Sequence, residues 1–153
     1  MQIYATTHLE KEYKKLVKVK KHYSCLADRL SDYIYISDFI PIGDLLHRSK
    51  DGNVSVFKAR LKSCTKNGKS YGFRVAYLKH PKFIILLEIY PKWGPNRADD
   101  ITQEGVGFLL SEALSEKENN ELLTITRVDQ KEYIKFSEQV KIVSPEVGVD
   151  EEE

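Results

Sequence analysis

Lys58 and Arg60 stand at alternate positions of the segment VSVFKARLK (Val54–Lys62), so in an extended chain both side chains leave the same face. Arg74 interrupts a second alternating segment, Tyr71–Leu78, in which Phe73, Val75 and Tyr77 take the opposite face. Lys92 follows a third, almost continuous apolar run, Phe83–Tyr90, and keeps the parity of Glu88 and Tyr90. Lys66 and Lys69, in the connection SCTKNGKS, add charge nearby. Cations gathered on adjacent strands are what a phosphodiester requires. They bind the ground-state phosphate and bind the extra charge of a phosphorane-like transition state better. A solvated sheet face is the plainer account of the same spacing.

Three strands at Val54–Lys62, Tyr71–Leu78 and Phe83–Tyr90 must position these side chains, the third covered on both faces. Asn67-Gly68 suits the turn between the first two, and Lys79–Lys82 is short enough for a hairpin. Upstream, Gln2–Thr7 reads as a short strand, and Thr7 with Glu10 as a capping box. The helix that follows puts Leu9, Tyr13 and Leu16 on one side and Lys11, Lys14, Lys15 and Lys18 on the other. A second helix over Ser24–Ser37 presents Leu26, Leu30, Tyr33 and Ile34. It forms an antiparallel hairpin with the first through Lys20–Tyr23. Pro41 and Gly43 mark an irregular approach to the sheet.

Beyond Lys92 the segment WGPNRADD reads as a loop. Thr102 is placed as an N-cap, Ile101 and Val106 as a hydrophobic staple, and Val106, Leu109, Leu110, Ala113 and Leu114 as the apolar stripe of a helix. Leu122–Val128 is then expected as a strand, Asp129–Gln139 as a short helix and Ser144–Glu153 as frayed. The fold class is α+β, with helices packed on a small, mainly antiparallel sheet.

A length of 153 residues suits one domain with a core of its own. No apolar run reaches the roughly 18 residues of a membrane span, and charges begin at Glu10, so no signal peptide or membrane partner is expected and a cytoplasmic location is. Cys25 and Cys64 are isolated and read as small apolar residues, not as a disulfide framework. The near-neutral total hides an asymmetry. Residues 1–100 carry 19 Lys and Arg against 10 Asp and Glu, whereas residues 101–153 carry 5 against 13. A basic body with an acidic tail implies a polyanion-binding surface, and a tail that either competes with the polyanion or serves solubility.

Several enzyme classes fall away. His8, His22, His47 and His80 show no metal-ligand spacing, and no nucleophile elbow, P-loop or dinucleotide fingerprint occurs. Gly105-Val106-Gly107 is too short for a phosphate loop. Carboxylates in the basic body are too sparse for a paired-carboxylate glycosidase.

The pattern Lys58-x-Arg60, then Gly68-Lys69-Ser70-x-Gly72-Phe73-Arg74-x-x-Tyr77, then an apolar strand closing on Tyr90-x-Lys92, resembles the RelE/ParE superfamily of bacterial toxins, most of all its RelE and HigB branch. The opening strand, the helix begun by THLEKEYKKLVK and the helix after Asp99-Asp100-Ile101-Thr102 agree with it, and the likeness covers about residues 2–114. It implies a RelE-like domain over 1–114 followed by an acidic, partly ordered extension over 115–153.

The resemblance further implies a toxin of a toxin–antitoxin pair, a metal-independent endoribonuclease that needs no cofactor and cuts messenger RNA on the ribosome. A cognate antitoxin is the implied protein partner. Lys58, Arg60, Arg74 and Lys92 then become the catalytic set, and Lys14, Lys18, Lys62, Lys66, Lys69, Trp93 and Arg97 the RNA-binding set, with Trp93 able to stack on a base. The chemistry is attack of a ribose 2′-hydroxyl on the adjacent phosphate. Lys58, flanked by Arg60 and Lys62, is the candidate base, Arg60 and Arg74 stabilise the phosphorane, and Lys92 stabilises the leaving group. Glu88 is an alternative base. The alternative function is a non-catalytic or gyrase-inhibiting, ParE-like binding module of the same fold.

Overall fold

The apolar run beginning at Phe83 sits at the middle of a mixed, seven-stranded sheet because helices cover both of its faces. The computed structural model describes residues 2–36, 43–64, 72–128 and 133–139. In chain order the elements are β1 (Gln2–Ala5), α1 (Thr7–Val17), α2 (Lys20–Tyr23), α3 (Leu26–Ile36), β2 (Asp44–Arg48), β3 (Ser55–Leu61), β4 (Phe73–Lys79), β5 (Phe83–Pro91), α4 (Gln103–Glu118), β6 (Leu123–Val128) and β7 (Tyr133–Glu138). The strands lie in the order β2-β3-β4-β5-β1-β6-β7. Among the described residues only β1 and β5 pair in parallel, and the other strand pairs are antiparallel. This is the α+β class expected, with a mainly antiparallel sheet.

Alternation sorts the strand residues between two cores. Phe57, Ala59, Leu61, Phe73, Val75, Tyr77, Ile84 and Leu86 face α1–α3, where Leu9, Tyr13, Leu16, Tyr23, Leu26 and Leu30 meet them. Val56, Ala76, Leu78, Ile85 and Leu87 face α4, where Val106, Leu109 and Ala113 meet them. Both Ile101 and Val106 join this second core, as the staple requires. Leu114, expected in the stripe, is instead 45% exposed.

Several expectations are corrected. Thr6, not Thr7, caps α1: its hydroxyl accepts from the Leu9 amide, and Thr7 is the first helical residue. Thr7 is bound from outside, its amide and hydroxyl donating to the carboxylate of Glu116 on α4 at 2.9 and 2.7 Å. The single helix expected over Ser24–Ser37 is α3, and the joint before it contains the extra turn α2. The irregular approach is an edge strand, β2, whose five residues are too few to show a period. The helix expected over Asp129–Gln139 is replaced by β7, because Ile134 becomes buried by pairing with β6. The Asn67-Gly68 turn and the frayed Ser144–Glu153 lie outside the described residues.

Cys25 and Cys64 are also corrected. They form a disulfide, with Cα atoms 5.4 Å apart, which ties the α2–α3 junction to the end of β3. Thirty-nine positions separate them in sequence, so only the packing of α3 against the sheet reveals the pair.

His8, at the start of α1, meets Glu88 of β5 at 2.8 Å. The hydrogen bond to Glu88 raises the imidazole above its ordinary value of 6.5 against the opposing effect of burial, and Glu12 and Glu112 add to the rise. A raised folded value stabilises the fold fully below 6.5 and loses that contribution as pH climbs through the folded value. Urea unfolding at pH 6 and pH 8 should therefore show a larger drop for the wild type than for His8→Gln. Equal drops would remove the pair from the account.

Candidate functional site

The cations predicted from spacing do share one face of the sheet. Lys58 and Arg60 alternate on β3, and the register sets Arg60 directly opposite Arg74 of β4, which in turn sits opposite Tyr90 of β5. Directly paired residues of neighbouring strands project together. The same face carries Val56, Leu78 and Ile85 beneath α4, so one surface passes from apolar to cationic beyond the helix.

A bulge in β5 makes this possible. Leu86 pairs with Tyr77 and Glu88 with Ala76, which leaves Leu87 as an extra residue. The parity of β5 changes there. Phe83, Ile85 and Leu87 face α4 before it, and Tyr90 and Lys92 reach that same side after it. The amide of Lys92 donates to the Gly72 carbonyl, which extends the pairing by one step. Gly72 itself is forced by close approach, since a Cβ there would collide with the Leu61 carbonyl.

Asp100 lies at the centre of the cluster. One of its carboxylate oxygens receives the Tyr90 hydroxyl at 3.3 Å, the Lys58 ammonium at 3.4 Å and the Lys92 ammonium at 3.4 Å. Lys58 also approaches Asp44 of β2 at 4.0 Å. Partial burial works against the charge of Asp100, but Lys58 and Lys92 outweigh it and hold the carboxyl below its ordinary range. Tyr90 is pushed up to about 12, first by burial and then by Asp100, and keeps its proton at neutral pH.

Arg74 is the most unusual member. It is only 5% exposed, and its Nη1 donates to the Phe73 carbonyl at 3.3 Å. Burial lowers its affinity for the proton first, and the charge of Arg60 lowers it further, while Asp100, Tyr90 and Asp44 act in the opposite direction. Among the described residues no ion pair joins Arg60 or Arg74 to a carboxylate. Buried charges are normally paired. Among the described residues the ion pairs of these four cations are those of Lys58 and Lys92 with Asp44 and Asp100, and the two arginines feel these carboxylates only without direct pairing.

The remaining predicted residues are distributed unevenly. Lys62 follows β3 with the parity of Arg60 and is exposed. Lys66 and Lys69 lie outside the described residues. Lys14 and Lys18 belong to α1 and its C-cap, on the layer across the sheet, and Lys14 pairs with Glu10 at 2.9 Å. Arg97 is exposed on the loop after β5. Trp93 packs edge-on against Phe73 and Tyr23, with ring centroids 4.8 and 5.0 Å away, and so serves the core under α1–α3. Glu88, the alternative base, is committed to His8.

Spacing does not assign two members of the cluster: in the sequence Tyr90 stands only as the strand residue two before Lys92, and Asp100 only as part of the entry to a helix. The available signal was charge: Asp99 and Asp100 close a stretch in which Lys92 and Arg97 are the nearest charged neighbours upstream.

The loop bearing Asp100 is held from the far layer. The Tyr23 hydroxyl donates to the Trp93 carbonyl at 2.6 Å and accepts the Asn96 amide at 3.0 Å. Between them Gly94 has φ +81°, and a Cβ there would lie 2.6 Å from that hydroxyl. Gly94→Ala should therefore destabilise the protein by about 1–3 kcal/mol through strain and displacement of Tyr23. Thermal unfolding checks this, and an unchanged midpoint would show the loop to be loosely held. No protein-family model, curated protein or solved structure matches this chain.

Proposed function

We propose that the chain is an RNA-cleaving toxin of a toxin–antitoxin pair, acting on ribosome-bound messenger RNA through the cluster of Lys58, Arg60, Arg74, Tyr90 and Lys92. The observation that carries this reading is the buried Arg74 set opposite Arg60 with no ion pair to a carboxylate among the described residues, an arrangement that an incoming phosphate completes. The strand order, with β1 parallel to β5 and helices α1–α3 over β3–β5, is in keeping with the RelE-like domain that the sequence resembles.

In the proposed reaction Lys58, having left Asp100 and given up a proton to water, takes the proton of the ribose 2′-hydroxyl as the neutral amine. The O2′–P bond forms, the P–O5′ bond breaks, and a cyclic phosphate remains. Arg60 and Arg74 stabilise the phosphorane. The Tyr90 hydroxyl, protonated at neutral pH, supplies the proton to the leaving oxygen, and Lys92 stabilises charge there. Tyr90 is then the general acid of the proposed reaction. Among the described residues no helix is long and apolar enough to cross a membrane. The reaction belongs in the cytoplasm, with the ribosome. There thiols are kept reduced, so this reading requires Cys25 and Cys64, bonded in the structure, to be free thiols when the protein acts. An antitoxin covering the cationic face is the partner.

The test is addition of the full chain to a bacterial translation extract, with cleavage mapped by primer extension on the message. Cuts that depend on the ribosome and on Lys58 and Arg74 support the reading, and their absence refutes it. One observation favours the alternative, a non-catalytic or ParE-like binding module: Lys58 is ion-paired to Asp100 and Asp44, as a residue that only holds an anion would be.

A further inference from the structure

Asp100 occupies the cluster in a manner that has a chemical reading of its own. A single oxygen receives three donors, from Lys58, Lys92 and Tyr90, as one oxygen of a bound phosphate would. Its side chain is 58% exposed, whereas those of Lys58 and Lys92 are 12% and 22% exposed. The carboxylate therefore plugs a largely buried pair of ammonium groups from the solvent side. It can rotate into water without any change in the backbone that carries it, which is fixed by the Ala98 amide on the Pro91 carbonyl.

Resting on the phosphodiester reading above, we propose that Asp100 is a resident stand-in for phosphate that restricts the site to polyanionic chains. A lone phosphate that displaces Asp100 exchanges one anion for another at Lys58 and Lys92, and it leaves the expelled carboxylate nearby as a like charge. A nucleic-acid strand does more. While one phosphate takes the place of Asp100, its neighbours reach Arg60, Arg74 and Lys62, none of which is ion-paired to a carboxylate among the described residues. Asp100 thus sets a threshold that only several linked phosphates exceed, and free phosphate or mononucleotides do not occupy the site.

The experiment uses the full chain and a fluorescent 2′-O-methyl RNA of roughly ten nucleotides, which lacks the attacking hydroxyl and so reports binding alone. Asp100→Asn keeps the shape and removes the charge. It should bind about tenfold tighter than the wild type at low salt, with a salt dependence steeper by about one counterion. Inorganic phosphate should compete for Asp100→Asn at concentrations that leave the wild-type complex intact. Asp100→Glu should restore wild-type behaviour, and Asp100→Ser provides a second neutral variant if the amide perturbs folding. Equal or weaker RNA binding by both neutral variants, with unchanged thermal midpoints, overturns the proposal. Binding that is lost in Lys58→Ala/Arg74→Ala yet not tightened by either neutral variant overturns the role of Asp100 alone. Absence of RNA binding throughout, or indifference to the double variant, overturns the site and the proposal together.

Discussion

The Lys58→Ala/Arg74→Ala variant is expected to lose RNA cleavage by at least about 10³-fold, and with it the inhibition of translation on expression in bacteria. Lys58 removes the proton and Arg74 contributes a charge that a phosphorane needs more than a ground-state phosphate does, so the loss falls on turnover before it falls on binding. The argument is sharpest at Arg74, where function and stability should move apart. Its guanidinium is buried beside Arg60 and bonded to a backbone carbonyl. Replacing a buried, poorly paired charge with an apolar residue of similar volume is often neutral or stabilising. Arg74→Met should therefore hold or raise the thermal midpoint while cleavage collapses. A variant that unfolds would mark Arg74 as structural. One that cuts RNA at the wild-type rate would remove the site from the mechanism. Full toxicity of the double variant in cells would have the same force.

Truncation after Leu114 is expected to unfold the protein rather than release its activity. The acidic extension invites an autoinhibitory reading from its charge, and a tail that merely covers the basic cluster should be removable. What the cut removes here is the end of α4, with Glu116, and both β6 and β7. Leu122, Leu123, Ile125 and Ile134 are buried, and their exposure forfeits about 6–12 kcal/mol of apolar transfer free energy. That is comparable to the entire stability of a small domain, roughly 5–15 kcal/mol. The cut also bares the edge of β1, which pairs with β6 through Tyr4 and Ala5. Circular dichroism and solubility of residues 1–114 provide the measurement. A folded, more toxic fragment would restore autoinhibition as the role of the tail. A cut after Gln139 removes none of the described elements and should leave the fold intact.

The central strands were legible because burial on the sheet imposes a period. Phe57, Ala59 and Leu61 against Lys58 and Arg60 leave little choice of conformation, and β3 falls within one residue of the segment so read. The N-cap at Thr102 was legible for a similar local reason, since a hydroxyl three residues before a free amide is a sequence-level feature. At Thr6 the same rule applied but two adjacent threonines competed. Thr6 became the cap and Thr7 the first helical residue, its amide held by Glu116 of α4, more than a hundred positions away. β2 and β7 were missed because an edge strand of five or six residues takes its conformation from its neighbour.

The sequence by itself determined the α+β class, three central strands and the grouping of Lys58, Arg60 and Arg74 on one face. Period and parity act within a strand or between adjacent strands, and they need no knowledge of the rest. Only the tertiary structure decided the remainder of the site. The bulge at Leu87 brings Tyr90 and Lys92 to the cationic side, where unbroken alternation would have set them with Ile84 and Leu86. The loop pinned by Tyr23 delivers Asp100, and the packing of α3 pairs Cys25 with Cys64. Each of these depends on how separate layers meet, and such meetings leave no period in the chain.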